Sequence, residues 1–366
     1  MPEAGPETRR HAVAGARQPV RLTFDNGGWA LMVAALFALL IAWRLLDQAG
    51  VFSGREPLKG DGKHLESYGF DLGSLKVPRE LLTPALPKDK IRALTNPATL
   101  PGSGVAAYNK EQRARYERKF LVAGDRVLGV VLGGEARAYP LNVLCWHEIA
   151  NDTLAGAPIA ATYNPLCDSA AVFSRESGGV VREFGVSGLL YNSNLVMYDR
   201  PPGGQGESLW SQLQLRAIAG PAGAAGLALA PLPCELTRWD DWYRRYPETT
   251  VCLGDPAFGS QYNTNPYGPY FMTAKLRFPV QPEPGPDGFG RVLAVLQDGR
   301  WLVMPYTEIK SGSGNARAYA KDGLVFHYAG ETPAMDPETA YVTRPDGSPG
   351  PPSVSCLRFA WDAARP

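Results

Sequence analysis

The chain has 366 residues, with 37 lysines and arginines against 36 aspartates and glutamates and a formal net charge of +1. That balance supplies no basic field for nucleic acid, so none is expected as a partner. The 45% hydrophobic content is ample for a packed core, and 40 glycines with 33 prolines favour short strands and many turns over long helices.

Residues 1–28 read as a cytoplasmic tail. Residues 29–46, WALMVAALFALLIAWRLL, are apolar except for Arg44 and would span about 27 Å as a helix, just enough for a bilayer core. Trp29 and Trp43 sit near the two ends, where indoles favour the headgroup zone, and Arg44 can snorkel. This predicts a transmembrane helix. A cleaved signal peptide is the competing reading. The long leader, the long apolar run and the lack of an A-x-A-like site soon after it argue against it. Arg9-Arg10 lies too far from the apolar run for a twin-arginine signal. Arg9, Arg10, Arg17 and Arg21 precede the span, and Arg55, Lys59 and Lys63 follow it. The weak bias favours a single-pass inner-membrane protein with its C-terminal body outside, periplasmic in a bacterium.

Residues 47–120 are rich in proline, lysine and glycine. They read as a linker that becomes an arm on the body and ends in a short charged helix near residues 110–119. From Arg126 the pattern tightens. RVLGVVL has strand length, Gly133-Gly134 makes a turn, and EARAYP returns. The phrase recurs, since RVLGVVLGGEARAYPLNVL at 126–144 resembles RVLAVLQDGRWLVMPYTEI at 291–309. AVFSRESGGVVREF and GLVFHYAG follow the two copies, and LTRWDDWYRRYP at 236–247 loosely matches LRFAWDAARP at 357–366. The expected fold is mainly β (α+β), with two related β-rich halves from an internal duplication. The longer first half covers 121–275 and the abbreviated second 276–366, with short helices at 141–150 and 236–246. Two unrelated hairpins sharing common β vocabulary are the alternative.

The scarce reactive residues gather at 141–173, which holds Cys145, His147, Glu148, Cys167 and Asp168. Cysteine and histidine are ligands for copper or zinc, and Met197 would complete a copper site. In a helix, however, Cys145 and His147 point to different faces, whereas Cys145 and Glu148 share one. A second reading makes Cys145 and Cys167 redox thiols, or Cys167 a nucleophile with His147 as base and Glu148 or Asp168 as orienter. A third is structural: Trp146 and His147 are core residues, and Asp168 and Ser169 cap a turn. Cys234 and Cys252 bracket the helix at 236–246 and are either a disulfide or two buried thiols. Cys356 reads as core. Ser187, Asn192, Ser193 and Asn194 read as a hairpin or a ligand-facing loop, and Trp210 with Gln212 as an aromatic wall bearing an amide. No nucleotide loop, Gly-x-Ser-x-Gly elbow or His-Glu-x-x-His motif occurs.

The string ARAYPLNVLCWHEIANDTLAGAPIAATYNPLCDSAAVF, followed by FGVSGLLYNSNLVMYDR and SLWSQ, resembles the domain-of-unknown-function family 3179 (DUF3179). The resemblance runs from about 120 to 275 and through the second half. It implies an exported or membrane-anchored protein and no particular activity. Where members read Asn-Trp-His-Glu and Tyr-Cys-Pro-Leu-Cys, this chain has Cys145-Trp146-His147-Glu148 and Tyr163-Asn164-Pro165-Leu166-Cys167. Asparagine and cysteine have traded places. Either positions 145 and 164 are neighbours that keep one thiol and one amide, or a family site has decayed to its scaffold. Two functions are therefore expected of a membrane-anchored exported body. One is a Cys/His metal-binding or thiol-redox site at Cys145, His147, Cys167 and Met197. The other is a non-catalytic accessory subunit docked onto a larger membrane protein complex, with the aromatic loop 263–271 as a contact.

Overall fold

A computed structural model describes residues 28–48, 58–117, 119–201, 206–262, 264–273, 275–314, 317–330 and 338–365. It forms two compact units, divided after Pro57. Arg9, Arg10, Arg17, Arg21 and Arg55 lie outside the described residues.

The described part of the first unit is the helix Gly28–Gln48, of 21 residues. Its described apolar side chains, Leu36, Phe37 and Leu39 among them, are exposed. Among the described residues no helix is long and apolar enough to cross a membrane. The side chains described without a break in this helix are those of residues 32–44.

The second unit is mostly β-sheet with a few short helices, as the composition predicts. Two hairpins set its plan. Arg126–Leu132 returns as Glu135–Pro140, and Arg291–Gln297 returns as Arg300–Pro305. Each turns through two residues, Gly133-Gly134 and Asp298-Gly299, all four at positive φ. Two-residue turns of this hand match the right-handed twist of the paired strands. A helix follows each hairpin, Leu141–His147 and Tyr306–Ser313.

A three-stranded meander follows each helix: Ile149–Leu154, Ala157–Asn164 and Ser169–Ser174 in the first half, and Ala318–Lys321, Leu324–Ala329 and Thr339–Thr343 in the second. By chain order Leu324–Ala329 thus answers to Ala157–Asn164. The phrase match with AVFSR, which lies mostly in Ser169–Ser174, slips by one strand. Each half closes with a strand running into a helix, Glu235–Arg238 into Trp239–Arg245 and Ser353–Leu357 into Arg358–Ala364. Each closing strand pairs antiparallel with the first strand of its own hairpin.

The halves interlock. The first-half meander joins the second-half hairpin in one seven-stranded sheet through the pairing of Ser355 with Ala170. Reciprocally, Thr339–Thr343 packs against Glu235–Arg238. Counting back from the closing helices, Cys234 and Ser353 hold the same position. They bond each other: Cys234 Sγ donates to the Ser353 carbonyl at 3.2 Å, and Ser353 Oγ donates to the Cys234 carbonyl at 2.9 Å. Cys234 and Cys252 are both free, so the two-thiol reading applies.

Two elements depart from the expected bounds. The helix expected at 141–150 stops at His147, because Glu148 takes φ 56° and Ile149–Leu154 is drawn into pairing with Ala157–Asn164. The helix expected at 236–246 begins only at Trp239, since Glu235–Arg238 is drawn into the sheet beside Arg126–Gly129. There Gly129 makes room for the buried Trp242, whose ring would lie 2.2 Å from a Cβ.

The arm contributes edge strands to three sheets: Leu82–Pro84 on Phe184–Tyr191, Leu94–Thr95 on Ile149–Leu154, and Thr99–Pro101 on Thr250–Cys252. Its helix covers Val105–Tyr116, earlier than the charge pattern suggests. Inserted in the first half is a five-stranded sheet that includes Phe184–Tyr191 and Asn194–Asp199. It stands against the meander and completes the candidate site.

Candidate functional site

Four tight backbone features bring the residues of 141–173 together with the inserted sheet. Pro140 precedes the helix Leu141–His147 in extended conformation, and Glu148 ends it at φ 56°, ψ −30°. After the strand Ala157–Asn164, the Asn164 side-chain oxygen accepts from Cys167 N at 3.2 Å, an Asx-type turn. Asp168 follows at φ 44°. The hairpin joining Phe184–Tyr191 to Asn194–Asp199 turns at Asn192 and Ser193, both at positive φ. Non-glycine residues in this region store local strain, and here they cluster around one place.

The four proposed metal or redox residues do not meet. His147 is fully buried, with Nδ1 2.7 Å from the Arg92 carbonyl and Nε2 2.6 Å from the Tyr262 hydroxyl. Both ring nitrogens are thus occupied, and the ring lies edge-on to Phe258. Burial pushes its pKa down, favouring the neutral imidazole. Cys145 packs against the core that holds Leu144 and Trp239, Cys167 packs with Val292 and Cys356, and Met197 packs with Ile149 and Trp210. Among the described residues no group of three or more His, Cys, Asp or Glu side chains is placed to hold a metal.

Both thiols of this stretch are held protonated. Burial pushes Cys145 up to about 12 against the opposing charge of Arg126. Burial also raises Cys167, whose Sγ donates to the Ser193 carbonyl at 3.3 Å. Thiolates do the ligation and the nucleophilic chemistry of cysteine, and neither residue offers one at neutral pH.

The two acids have opposite environments. Asp168 accepts from Arg126 Nη1 at 2.9 and 3.1 Å, from Arg291 Nε at 2.6 Å and from the Tyr163 hydroxyl at 2.7 Å. Burial alone would raise its carboxyl, but the two guanidinium groups outweigh it and hold Asp168 below the usual range. Glu148 is only 4% exposed and has no cation beside it. Burial pushes it up to about 8, so it stands protonated at neutral pH. The amide of Asn164 lies near enough to favour its charge, yet Asn164 Nδ2 closes no hydrogen bond of ordinary length. We read this contact as a dipole. Glu148 also borders Cys145, so it is the residue flanked by both exchanged positions, 145 and 164.

Glu148 lines a pocket of about 220 Å³ between the meander and the inserted sheet. Leu166, Val186, Leu190 and Leu195 make apolar walls, the arm adds Ala85, Leu86 and Ile91, and Tyr267, Arg277 and Phe278 close it. Gly188 shapes the arm side. It sits at φ +81° where the pairing of Phe184–Tyr191 with its neighbour shifts register, and a Cβ there would lie 2.0 Å from the Leu86 carbonyl. Its own carbonyl accepts from Ala85 N and Leu86 N at 3.0 and 3.1 Å. The closing segment is pinned at both ends, by the Tyr270 hydroxyl donating to the Leu166 carbonyl at 2.9 Å and by Gln281 N donating to Asn192 Oδ1 at 3.0 Å. The aromatic loop expected as a docking contact therefore forms part of the pocket's roof, with Tyr270 buried.

Beside this pocket lies a polar core of Thr162, Ser169, Asn194 and Gln212. Gln212 accepts from Ser169 Oγ at 2.7 Å and from Asn194 Nδ2 at 3.0 Å, and it donates to Thr162 Oγ1 at 2.9 Å. Next to Cys167, three buried polar atoms lack partners: Asn164 Nδ2, Ser193 Oγ and Asn194 Oδ1. Buried polar groups are nearly always satisfied, so a cluster of exceptions marks functional ground. A larger open groove of about 510 Å³ lies near Tyr243 and Lys119.

Sequence reasoning placed Cys167 here and flagged Asn192, Ser193 and Asn194 as a hairpin or ligand-facing loop. The sequence gives Glu148 only an orienting role, places Tyr267 in an aromatic contact loop rather than a pocket, and does not single out Arg277. The apolar neighbours of Glu148 come from four separate segments, and no local pattern announces them.

The arrangement is that of a β-rich domain with a protonated carboxyl facing a small apolar pocket. The chain belongs to the family described as Protein of unknown function (DUF3179), whose model matches residues 89–340. The match takes in the meander, the inserted sheet and the roof, and leaves Ala85 and Leu86 outside. No curated protein and no solved structure matches the chain.

Proposed function

We propose that this protein is a membrane-anchored, exported, non-catalytic accessory subunit whose body holds a small ligand in the Glu148 pocket. The single observation that carries the reading is the contrast within residues 141–173. His147 has both ring nitrogens bonded, Cys167 is fully buried and Cys145 packs half-buried against the core, while the Glu148 carboxyl faces a cavity. Neutral acids kept in apolar pockets act as hydrogen-bond donors to whatever enters.

The anchor in this proposal is the segment at 29–46, whose sequence is apolar over a bilayer's thickness. The weak arginine bias favours an N-inside orientation, which puts the body in the periplasm of a bacterial cell. In such a protein the anchor brings the pocket to a larger membrane complex. The interlocked halves, with Arg126 and Arg291 in matching positions, support an internal duplication as the origin of the scaffold.

The test is extraction of native membranes in mild detergent, followed by native mass spectrometry and metal analysis. The expected result is a chain that resists carbonate washing, travels with a partner and a small bound mass, and carries the same sub-stoichiometric metal as Cys167→Ser. A stoichiometric transition metal lost in Cys167→Ser would restore the metal reading and overturn this one.

A further inference from the structure

We infer that the pocket takes a small, mostly apolar carboxylate with an oxygen acceptor at its far end, its carboxylate paired with Arg277 and its oxygen meeting Glu148. This deepens the ligand-binding reading above and rests on it.

Three features of the same cavity carry the inference. The first is Arg277. It is exposed and lines the pocket, with its guanidinium 5.8 and 5.2 Å from the ring centroids of Tyr267 and Tyr270. Among the described residues no carboxylate forms an ion pair with it. A planar fork of donors resting on aromatic faces is suited to a carboxylate.

The second is the inner end, where the Glu148 carboxyl faces the cavity. Glu148 is unionised at neutral pH and carries a proton to donate. An oxygen acceptor takes that proton, whereas an ammonium group would require Glu148 to ionise.

The third is the space between the two ends. Leu166, Val186, Leu190 and Leu195 offer no polar side chain, so the body of the ligand is apolar. The cavity of about 220 Å³ equals roughly seven waters at their ~30 Å³ share of the liquid. That suits a short-chain or ring-bearing acid.

The experiment is calorimetric titration of the detergent-solubilised full chain with four probes of similar length: 5-oxohexanoate, hexanoate, 2-hexanone and pentylamine. The oxo acid is expected to bind best. Hexanoate and the ketone should each be weaker by roughly tenfold, about the worth of one charge-assisted hydrogen bond. Arg277→Ala, at an exposed position that does not endanger folding, should cost the two acids tenfold or more and leave the ketone unchanged. Glu148→Gln keeps a donor, so it should bind the oxo acid within a few-fold of wild type. It should also lose the weakening that wild type shows between pH 7 and pH 9, as Glu148 ionises around about 8. Tighter binding of pentylamine than of the acids, or an Arg277→Ala variant with unchanged acid affinity, overturns the ligand class and leaves a binding pocket standing. Failure of all four probes to bind wild type overturns the ligand class and the binding reading together.

Discussion

Arg126 and Arg291 open corresponding strands of the two halves, and both donate to the single carboxylate of Asp168. Asp168 has only 1% of its side chain exposed, against 8% for Arg126 and 13% for Arg291. The pair of arginines thus ties the two hairpins to the turn that carries Cys167.

Removing one partner of such a cluster leaves buried charge uncompensated. Asp168→Asn should therefore cost about 3–5 kcal/mol of stability, read as a lower urea midpoint at pH 7. The depressed carboxyl also sets a pH window. Its contribution is complete above the ordinary aspartate value of about 4 and disappears as pH falls through the lower folded value. Urea midpoints of wild type and Asp168→Asn should converge in acid, and a constant gap between them would contradict the assignment.

Glu148 acts in the opposite direction. The folded state keeps its proton up to about 8, against an ordinary value of 4.5. Between those two values the folded state binds the extra proton, so stability falls as pH rises. At roughly 1.4 kcal/mol per pH unit, the loss is on the order of 4–5 kcal/mol. Glu148→Gln should abolish that slope, matching wild type near pH 5 and exceeding it at pH 9. Parallel pH profiles for the two proteins would count against a neutral buried acid.

The sealed thiols give a chemical prediction. Cys145, Cys234 and Cys252 are each pushed up to about 12 by burial, and Cys167 and Cys356 are raised as well. A thiol-specific disulfide reagent at pH 8 should therefore leave the four buried thiols unlabelled for minutes, react only slowly with the half-buried Cys145, and label all five in denaturant. Fast labelling of Cys167 in the folded protein would revive thiol chemistry at this site.

Gly188 tests the arm's place in the pocket. A side chain there meets the Leu86 carbonyl and strains a positive φ. Gly188→Ala should cost about 1–3 kcal/mol and release the arm, seen as faster hydrogen exchange of the Ala85 and Leu86 amides. Unchanged exchange at both would show that the arm does not depend on this contact.

Much of the scaffold is legible in the sequence. The Gly133-Gly134 and Asp298-Gly299 turns, the repeated phrase at 126–144 and 291–309, and the crowding of scarce residues at 141–173 all mark real features. The local signals fail where distant segments decide. A helix period carried past His147 cannot register that Ile149 onward is claimed by a neighbouring strand. The charge states of Glu148 and Asp168 are equally hidden. The cations of Asp168 lie 42 and 123 residues away in sequence, while the pocket leaves Glu148 with none. His147 looked like a ligand because histidine is scarce here, but the carbonyl of Arg92 and the hydroxyl of Tyr262 occupy both its nitrogens.

The central claim is that Glu148 is an uncharged acid facing the pocket at neutral pH. Infrared difference spectroscopy of wild type against Glu148→Gln reads it directly. The account predicts a protonated carboxyl band at pH 7 that is absent from the variant and fades in wild type with a midpoint near about 8. Identical spectra at pH 7, or a band that has already vanished by pH 5, would contradict it.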